Sequence, residues 1–191
     1  MHVAVLIPVK SFTLAKGRLS DALSPARRHE LARTCAENVI AAAGDMPVHV
    51  ACSDEEVARW ATSHGATVIH CPEPGLDAAV ATSTAYLIAR GYDHVIVAHG
   101  DLPLATTLGH VPRTGCVTIV PDRHRDGTNV LAFPLGTEFR TAYGPGSCDN
   151  HIAIASTVGL ASFVLDDADL ALDLDTVEDL TELDRRHKET P

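Results

Sequence analysis

Short apolar runs alternate with amphipathic segments along the first half of the chain. The segment VAVLIPV, residues 3–9, has the length and branched side chains of a buried strand. The next segment has helical spacing and runs from Ser24 as N-cap, through Pro25 at the first helical position, to Gly44 as stop signal. Strands are predicted at VHVAC, ATVIHC and HVIVAHGD, with helices between them at 53–65 and 75–91. Strand and helix thus alternate four times, which predicts parallel β-α-β crossovers.

The pattern loosens after Pro103. CVTIVPD and NVLAFPL are predicted strands, CDNHIAIASTVG a helix, SFVLDD and LALDLD short strands, and TVEDLTELDRRH a closing helix. Because there is no internal repeat and no linker, we expect the loosened part to be an insertion over one sheet edge. The pattern predicts an α/β fold in three α/β/α layers with a mainly parallel sheet, as one domain over residues 1–191.

Composition narrows the class of protein. The apolar fraction of 46% and charged fraction of 21% are ordinary for a globular protein. The formal charge of −10 argues against broad nucleic-acid binding and against a polybasic surface that would bind a membrane. Five scattered cysteines without a C-x-x-C pair favour reduced thiols in the cytoplasm. The start, MHVAVLIPVK, is predicted to be a strand rather than a signal peptide, and no run approaches the ~20 apolar residues of a membrane span.

A carboxylate ends the fourth predicted strand, in HVIVAHGDLPLA. In sheets of this kind, ligands bind outside the carboxyl ends of the strands, where Asp101 is expected together with Lys10, Asp54 and Asp122. Gly-Asp-x-Pro is also common turn chemistry. By itself, Asp101 therefore leaves a ligand role and a turn role open.

A second acidic stretch, LALDLDT, favours the ligand role. As a strand it places Asp173 and Asp175 on one face, roughly 7 Å apart. Asp175 is alternatively an N-cap with Glu178 completing a capping box, but this leaves Asp173 unexplained. Two or three carboxylates around a hard cation explain both, so Asp101, Asp173 and Asp175 are predicted to hold one or two Mg²⁺ ions.

A Mg²⁺ site of this kind implies phosphates, and basic residues follow the first strand. In PVKSFTLAKGRLS, Lys10, Lys16 and Arg18 are placed to cradle a triphosphate, although the loop is not a P-loop. A second anion site is predicted where Thr128 of DGTNV meets Gly144 and Ser147 of YGPGSCDNH, with Ser147 at a helix start. The eleven histidines show no metal-binding spacing, and no required role is assigned to any of them.

Taken in order, IPVKSFTLAKGRLS, GLDAA, HGDLPL, PDRHRDGTNVLAF, FRTAYGPGSCDNH and LALDLDTVEDL resemble the guanylyltransferases of coenzyme F420 biosynthesis over nearly the whole chain. That family comprises 2-phospho-L-lactate guanylyltransferase and the actinobacterial phosphoenolpyruvate guanylyltransferase. GTN followed by GPGS and LDLDT is the specific combination, whereas GDLP is shared with many nucleotidyltransferases. The resemblance implies a nucleotidyltransferase-like, Rossmann-like fold, GTP and Mg²⁺ as co-substrate and cofactor, and a three-carbon phosphorylated acid as acceptor.

The resemblance also implies roles for matching residues. Metal ligands would be Asp101, Asp173 and Asp175; acceptor contacts would be Thr128, Gly144 and Ser147; the triphosphate would face Lys10, Lys16 and Arg18, with Lys16 and Asp101 catalytic. One departure is Asp77 in GLDAA, where similar proteins commonly have Asn. Its expected contact to the nucleoside is open.

The expected reaction transfers GMP from GTP to phosphoenolpyruvate, giving enolpyruvyl-diphospho-5'-guanosine and pyrophosphate. 2-Phospho-L-lactate is the alternative acceptor; phosphoenolpyruvate is preferred because the chain resembles the actinobacterial branch. The resemblance further implies that the product passes to the transferase that loads the three-carbon unit onto the deazaflavin. Alternatives are a non-catalytic nucleotide-binding protein of this fold, which has little need for three facing carboxylates, and a sugar-phosphate or molybdopterin nucleotidyltransferase, which does not require the glycine loop.

Overall fold

The computed structural model describes residues 1–189. Within them, the strands are β1 Val3–Pro8, β2 Val48–Cys52, β3 Thr67–His70, β4 His94–Ala98, β5 Cys116–Pro121, β6 Thr128–Pro134 and β7 Ala161–Val164. The α-helices are α1 Pro25–Ala42, α2 Glu55–Ser63, α3 Leu76–Ile88, α4 Ser147–Thr157 and α5 Val177–Glu189. A short 3₁₀ turn covers Gly17–Leu19.

All seven strands lie in one sheet, in the order β3-β2-β1-β4-β6-β5-β7. Strand β6 is antiparallel to both of its neighbours, while the other paired strands are parallel. The prediction of a mainly parallel sheet is confirmed. The predicted insertion over one edge is wrong, because β5, β6 and β7 extend the sheet itself. Strand β6 is buried from Thr128 to Phe133, and its backbone groups are satisfied by a strand on either side.

Successive side chains of the central strands face two separate cores. Val5 and Ile7 pack on the face covered by α1 and α2, whereas Ala4 and Leu6 pack on the face covered by α3 and α4. The three predicted layers are therefore present. Among the described residues, no helix combines the length and apolar content that crossing a membrane requires.

The segment LALDLD is not a strand, so that prediction is wrong. Leu170, Leu172 and Leu174 are buried as the alternation indicates, but the segment joins no sheet. Its backbone is held by single bonds instead: Leu174 N–H donates to the carbonyl of Asp101 at 3.2 Å, and the Asn129 amide donates to the carbonyl of Leu170 at 3.1 Å. Residues 168–171 form a turn, in which Ala171 N–H donates to the Asp167 carbonyl at 2.9 Å, so the three leucines are buried without a continuous extended strand.

Candidate active site

A cleft of about 880 Å³ opens at the carboxyl ends of β1 to β4. This volume lies in the range of small-molecule binding sites. Most of its lining residues come from the ends of β1, β2 and β3 and from the loops that follow them. The acidic and basic side chains that line it are Lys10, Lys16, Asp54, Glu73, Asp101 and Asp175.

Three carboxylates meet at one end of this cleft. One oxygen from each of Asp101, Asp173 and Asp175 lies within 4.8 Å of the other two. Asp101 follows β4, and the other two come from the irregular segment before α5. The bond from Leu174 N–H to the Asp101 carbonyl ties the two segments together. The structure thus brings together the three carboxylates that the sequence singled out.

Lys16 is buried against this acidic cluster, with its side chain only 4% exposed. Its ammonium lies 2.9 Å from Asp101 Oδ2 and 3.4 Å from Asp175 Oδ1. Its backbone is left-handed, at φ 59°, a conformation that non-glycine residues seldom adopt. Burial opposes a charge on Lys16, but the attraction of Asp101 and Asp175 outweighs it and raises the pKa of Lys16. The ammonium therefore stays charged.

The pKa values of Asp101 and Asp173 are shifted in opposite directions. Burial disfavours ionised Asp101, but Lys16, and His99 beside it, lower the pKa of Asp101 below its ordinary value. Burial raises the pKa of Asp173, and the charges of Asp101 and Asp175 raise it further. The Asn129 amide, which donates to Asp173 Oδ1 at 3.3 Å, only partly offsets this. The cluster therefore carries more negative charge than Lys16 neutralises.

The donor set fits a hard divalent cation. Asp101 Oδ1 is buried and has no hydrogen-bond partner among residues 1–189, while Oδ2 of the same carboxylate is bound by Lys16. Carboxylate oxygens are the ligands that Mg²⁺ prefers. A cation here would satisfy the unpaired oxygen and the excess negative charge together.

Asp175 is not a helix cap, so the alternative capping box with Glu178 is wrong. Thr176 caps α5 instead: its hydroxyl accepts from Asp179 N–H at 3.3 Å, and Asp179 Oδ2 accepts from Thr176 N–H at 2.7 Å. The side chain of Asp175 is thereby free to face Lys16 and Arg18, whose guanidinium lies 3.8 Å away. Arg18 is otherwise exposed, and Lys10 lines the cleft.

The predicted acceptor residues lie together beside α4. The hydroxyls of Thr128 and Ser147 are buried and 3.3 Å apart. Gly144, at φ 118°, and Gly146, at φ 70°, form a loop that only glycine adopts readily, and a Cβ on Gly144 would meet no atom within 4 Å. Backbone conformation, rather than a neighbouring atom, therefore favours glycine at position 144.

No required role was expected for His151, but in the structure it contacts Thr128 and organises these hydroxyls. Its Nε2 accepts from Ala142 N–H at 3.0 Å, so the ring proton is on Nδ1, which donates to Thr128 Oγ1 at 3.1 Å. Burial lowers the pKa of His151 to about 4, so the ring is neutral at pH 7. In the sequence, this contact is indicated by the position of His151 one turn after Ser147, in the helix that begins there.

Asp77 lies in the first turn of α3 and accepts from Tyr143 N–H at 3.1 and 3.3 Å. It thus anchors the loop that carries Gly144. Asn129, which sequence reasoning overlooked, supports the acidic cluster through Asp173 and Leu170. In the sequence, a role for Asn129 is indicated by its place next to Thr128 in an apolar strand. A buried amide there needs a hydrogen-bond partner.

Comparison with known proteins shows the family to which the chain belongs. A family model described as "Guanylyl transferase CofC like" matches residues 3–189. The chain belongs to this family. It is 35% identical to the phosphoenolpyruvate guanylyltransferase of Conexibacter woesei, covering 96% of this chain and 87% of that protein. It is 34% identical to the 2-phospho-L-lactate guanylyltransferase of Methanothermobacter thermautotrophicus, covering 96% and 84%.

The guanylyltransferase fold also recurs in solved structures. A putative nucleotide-diphospho-sugar transferase from Desulfovibrio desulfuricans superposes with a TM-score of 0.76 at 17% identity, covering 99% of this chain and 89% of that one. The nucleotidyltransferase from Methanothermobacter thermautotrophicus superposes at 0.66 and 14% identity, covering 100% and 99%. The resemblance and the nucleotidyltransferase-like fold are thus confirmed, and the chain is an enzyme of the nucleotidyltransferase class.

Proposed function

We propose that this enzyme transfers GMP from GTP to phosphoenolpyruvate, forming enolpyruvyl-diphospho-5'-guanosine and pyrophosphate with Mg²⁺ as cofactor. The observation that carries the proposal is the cluster of Asp101, Asp173 and Asp175 against buried Lys16, at one end of a cleft large enough for a nucleotide. Phosphoenolpyruvate is preferred because several relatives at 30–35% identity carry that name. 2-Phospho-L-lactate is the alternative acceptor.

The charged residues of the cleft have separable roles in this proposal. The three aspartates hold Mg²⁺, which, when bound, offsets the charge that develops around the reacting phosphate. Lys10 and Lys16 face the triphosphate, and the Lys16 ammonium stabilises the departing pyrophosphate. Arg18 adds charge at the rim of the cleft. Catalysis then consists of neutralising charge and aligning the two phosphates.

The nucleophile needs no general base. The second pKa of a phosphate monoester is about 6, so the acceptor phosphate is already a dianion at neutral pH. One of its oxygens attacks the α-phosphorus, the bond from that phosphorus to the bridging oxygen of the β-phosphate breaks, and pyrophosphate leaves. Thr128, Gly144 and Ser147 bind the acceptor's anionic groups, with neutral His151 orienting the Thr128 hydroxyl.

We place the reaction in the cytoplasm, because free cysteines, found at every cysteine position, suit a reducing compartment. The product contains a phosphoanhydride bond between its two phosphates. Its three-carbon phosphate unit is therefore activated for a further transfer. We propose that the F420 phospholactate or phosphoenolpyruvate transferase consumes it.

Pyrophosphate release tests the proposal. The purified protein is incubated with GTP and MgCl₂, together with phosphoenolpyruvate, 2-phospho-L-lactate or no acid, and each reaction is repeated with ATP. We expect release only with an acid present, only with Mg²⁺, and faster with phosphoenolpyruvate. Release with 2-phospho-L-lactate alone would transfer the assignment to the alternative acceptor. GTP binding without release with either acid would instead favour a non-catalytic nucleotide-binding protein.

Asp77 supplies a test of the acceptor loop. Asp77→Ala removes the acceptor for Tyr143 N–H, so we expect the KM for the three-carbon acid to rise about tenfold, the equivalent of ~1.4 kcal/mol, with little change in the KM for GTP. Asp77→Asn keeps an oxygen at this position and is the matched control, expected to behave like wild type. A larger effect on the KM for GTP than on that for the acid would place Asp77 at the nucleoside instead.

A further inference from the structure

A carboxylate outside the acidic cluster holds the backbone of Asp175. Asp179 Oδ2 accepts from Asp175 N–H at 3.0 Å, from Thr176 N–H at 2.7 Å and from the Thr176 hydroxyl at 2.8 Å. Asp179 is only 5% exposed, although it lies in the first turn of α5. Three donors thus converge on one oxygen, immediately next to a residue of the cluster.

The other oxygen of Asp179 is bound by an arginine from a different part of the chain. Arg123 Nε donates to Asp179 Oδ1 at 2.9 Å, and its terminal NH2 nitrogen lies 2.8 Å from the same oxygen. Arg123 belongs to the loop after β5, which leads into Thr128 at the start of β6. The Arg123 side chain is 27% exposed and that of Asp179 8%, so water screens the pair only weakly.

Helix capping explains only part of this arrangement. A cap requires the reciprocal bonds between Thr176 and Asp179, which satisfy the free amides at the start of α5. It requires neither the bond to Asp175 N–H nor the guanidinium. Those two contacts connect Asp175 to the loop after β5 and so restrict where the Asp175 carboxylate can lie.

We propose that Arg123 and Asp179 form a brace that positions Asp175 for the divalent cation, and that neither contacts the cation or a substrate. The inference rests on the proposed function only in taking Asp175 as a metal ligand. Groups that orient metal ligands from behind commonly contribute about 10- to 100-fold to metal affinity. A planar guanidinium suits this role, because two of its nitrogens hold one carboxylate in a fixed orientation, which a lysine cannot do.

Two variants test the brace. Arg123→Lys keeps the charge and loses the two-nitrogen contact, and Asp179→Asn keeps one accepting oxygen for the cap. We expect each to weaken Mn²⁺ binding in the presence of GTP about tenfold, measured as free Mn²⁺ by electron paramagnetic resonance. In pyrophosphate release, the half-saturating Mg²⁺ concentration should rise by a similar factor while the KM for GTP at saturating Mg²⁺ stays near wild type.

A matched control lies in the same loop. Arg125 pairs with Asp166 on the surface, and its side chain has no hydrogen bond or ion pair with Asp173, Asp175 or Asp179. Arg125→Ala should leave Mn²⁺ affinity unchanged. The double variant Arg123→Lys/Asp179→Asn should lose no more than about the larger single loss, because both act through one contact.

The outcomes separate this inference from the proposed function. Wild-type Mn²⁺ affinity in folded Arg123→Lys would overturn the brace, whatever the enzyme's activity. The brace would also be overturned if Arg125→Ala weakened Mn²⁺ binding as much as Arg123→Lys does. Any change in the loop would then have the same effect. Weakened Mn²⁺ binding in a protein that releases no pyrophosphate would support the brace and contradict the proposed reaction. If Asp179→Asn fails to fold, Arg123→Lys alone decides.

Discussion

Asp173→Asn is expected to lower the rate of pyrophosphate release by about 1000-fold and at the same time to stabilise the metal-free protein. The substitution removes a metal ligand of the proposed site. It also removes a carboxylate whose ionised form is disfavoured by burial and by the charges of Asp101 and Asp175, which together raise the pKa of Asp173. The side chain keeps an oxygen to accept from Asn129. We expect the melting temperature without metal to rise by about 2–4 °C, which corresponds to ~1 kcal/mol in a chain of this size.

The expected stabilisation of metal-free Asp173→Asn should depend on pH. A carboxyl group whose pKa is raised in the folded state stabilises the fold when protonated, and this contribution is lost as pH rises through the raised pKa. The variant should therefore exceed wild type most at neutral pH, and the difference should shrink below the ordinary carboxyl pKa. Thermal unfolding from pH 3 to pH 8 in the presence of a chelator measures it.

Asp169→Asn is the control for this experiment, because Asp169 lies in the same segment but is exposed and outside the acidic cluster. It should change neither activity nor the pH dependence. A folded Asp173→Asn enzyme with wild-type turnover would remove Asp173 from the metal site. A lower melting temperature at neutral pH would show that the cluster is not electrostatically strained.

Lys16→Met should have the opposite effect on stability and a similar effect on catalysis. It removes the buried ammonium between Asp101 and Asp175 and leaves their charges facing each other and Asp173. Removing one partner of a fully buried pair costs about 3–5 kcal/mol, but Asp175 is 45% exposed, so ~2 kcal/mol is expected after screening, or about 4–8 °C in melting temperature. Turnover should fall about 100- to 1000-fold, because the departing pyrophosphate loses its cation.

The effect of Mg²⁺ on the melting temperature distinguishes a loss of stability caused by the missing charge from one caused by lost packing. A bound cation replaces part of the missing charge, so adding MgCl₂ should raise the melting temperature of Lys16→Met more than that of wild type. Calorimetry with and without Mg²⁺ checks this. Leu14→Met is a control in the same loop, since Leu14 is exposed, and it should respond to Mg²⁺ like wild type. Equal Mg²⁺ responses in Lys16→Met and wild type would attribute the loss to packing.

Local pattern predicted much of the fold. Buried strands and capped helices up to β4 follow from apolar runs, from Ser24 and from Pro25, because these signals act over a few residues. For the segment LALDLD, local pattern predicted the burial of the leucines but not the secondary structure. The alternation of Leu170, Leu172 and Leu174 correctly indicates which side chains are buried, but whether the segment is a strand or a turn followed by irregular backbone depends on distant partners.

The sequence by itself determined the acidic and basic residue types of the candidate site, the position of Asp101 after β4 and that of Lys16 in the loop after β1. Tertiary structure decided their partners. Lys16 meets Asp101 85 positions away and Asp175 159 positions away, and Arg123 meets Asp179 56 positions away. The physical reason is that each of these contacts becomes possible only after the chain has closed, and local propensity carries no information about that closure.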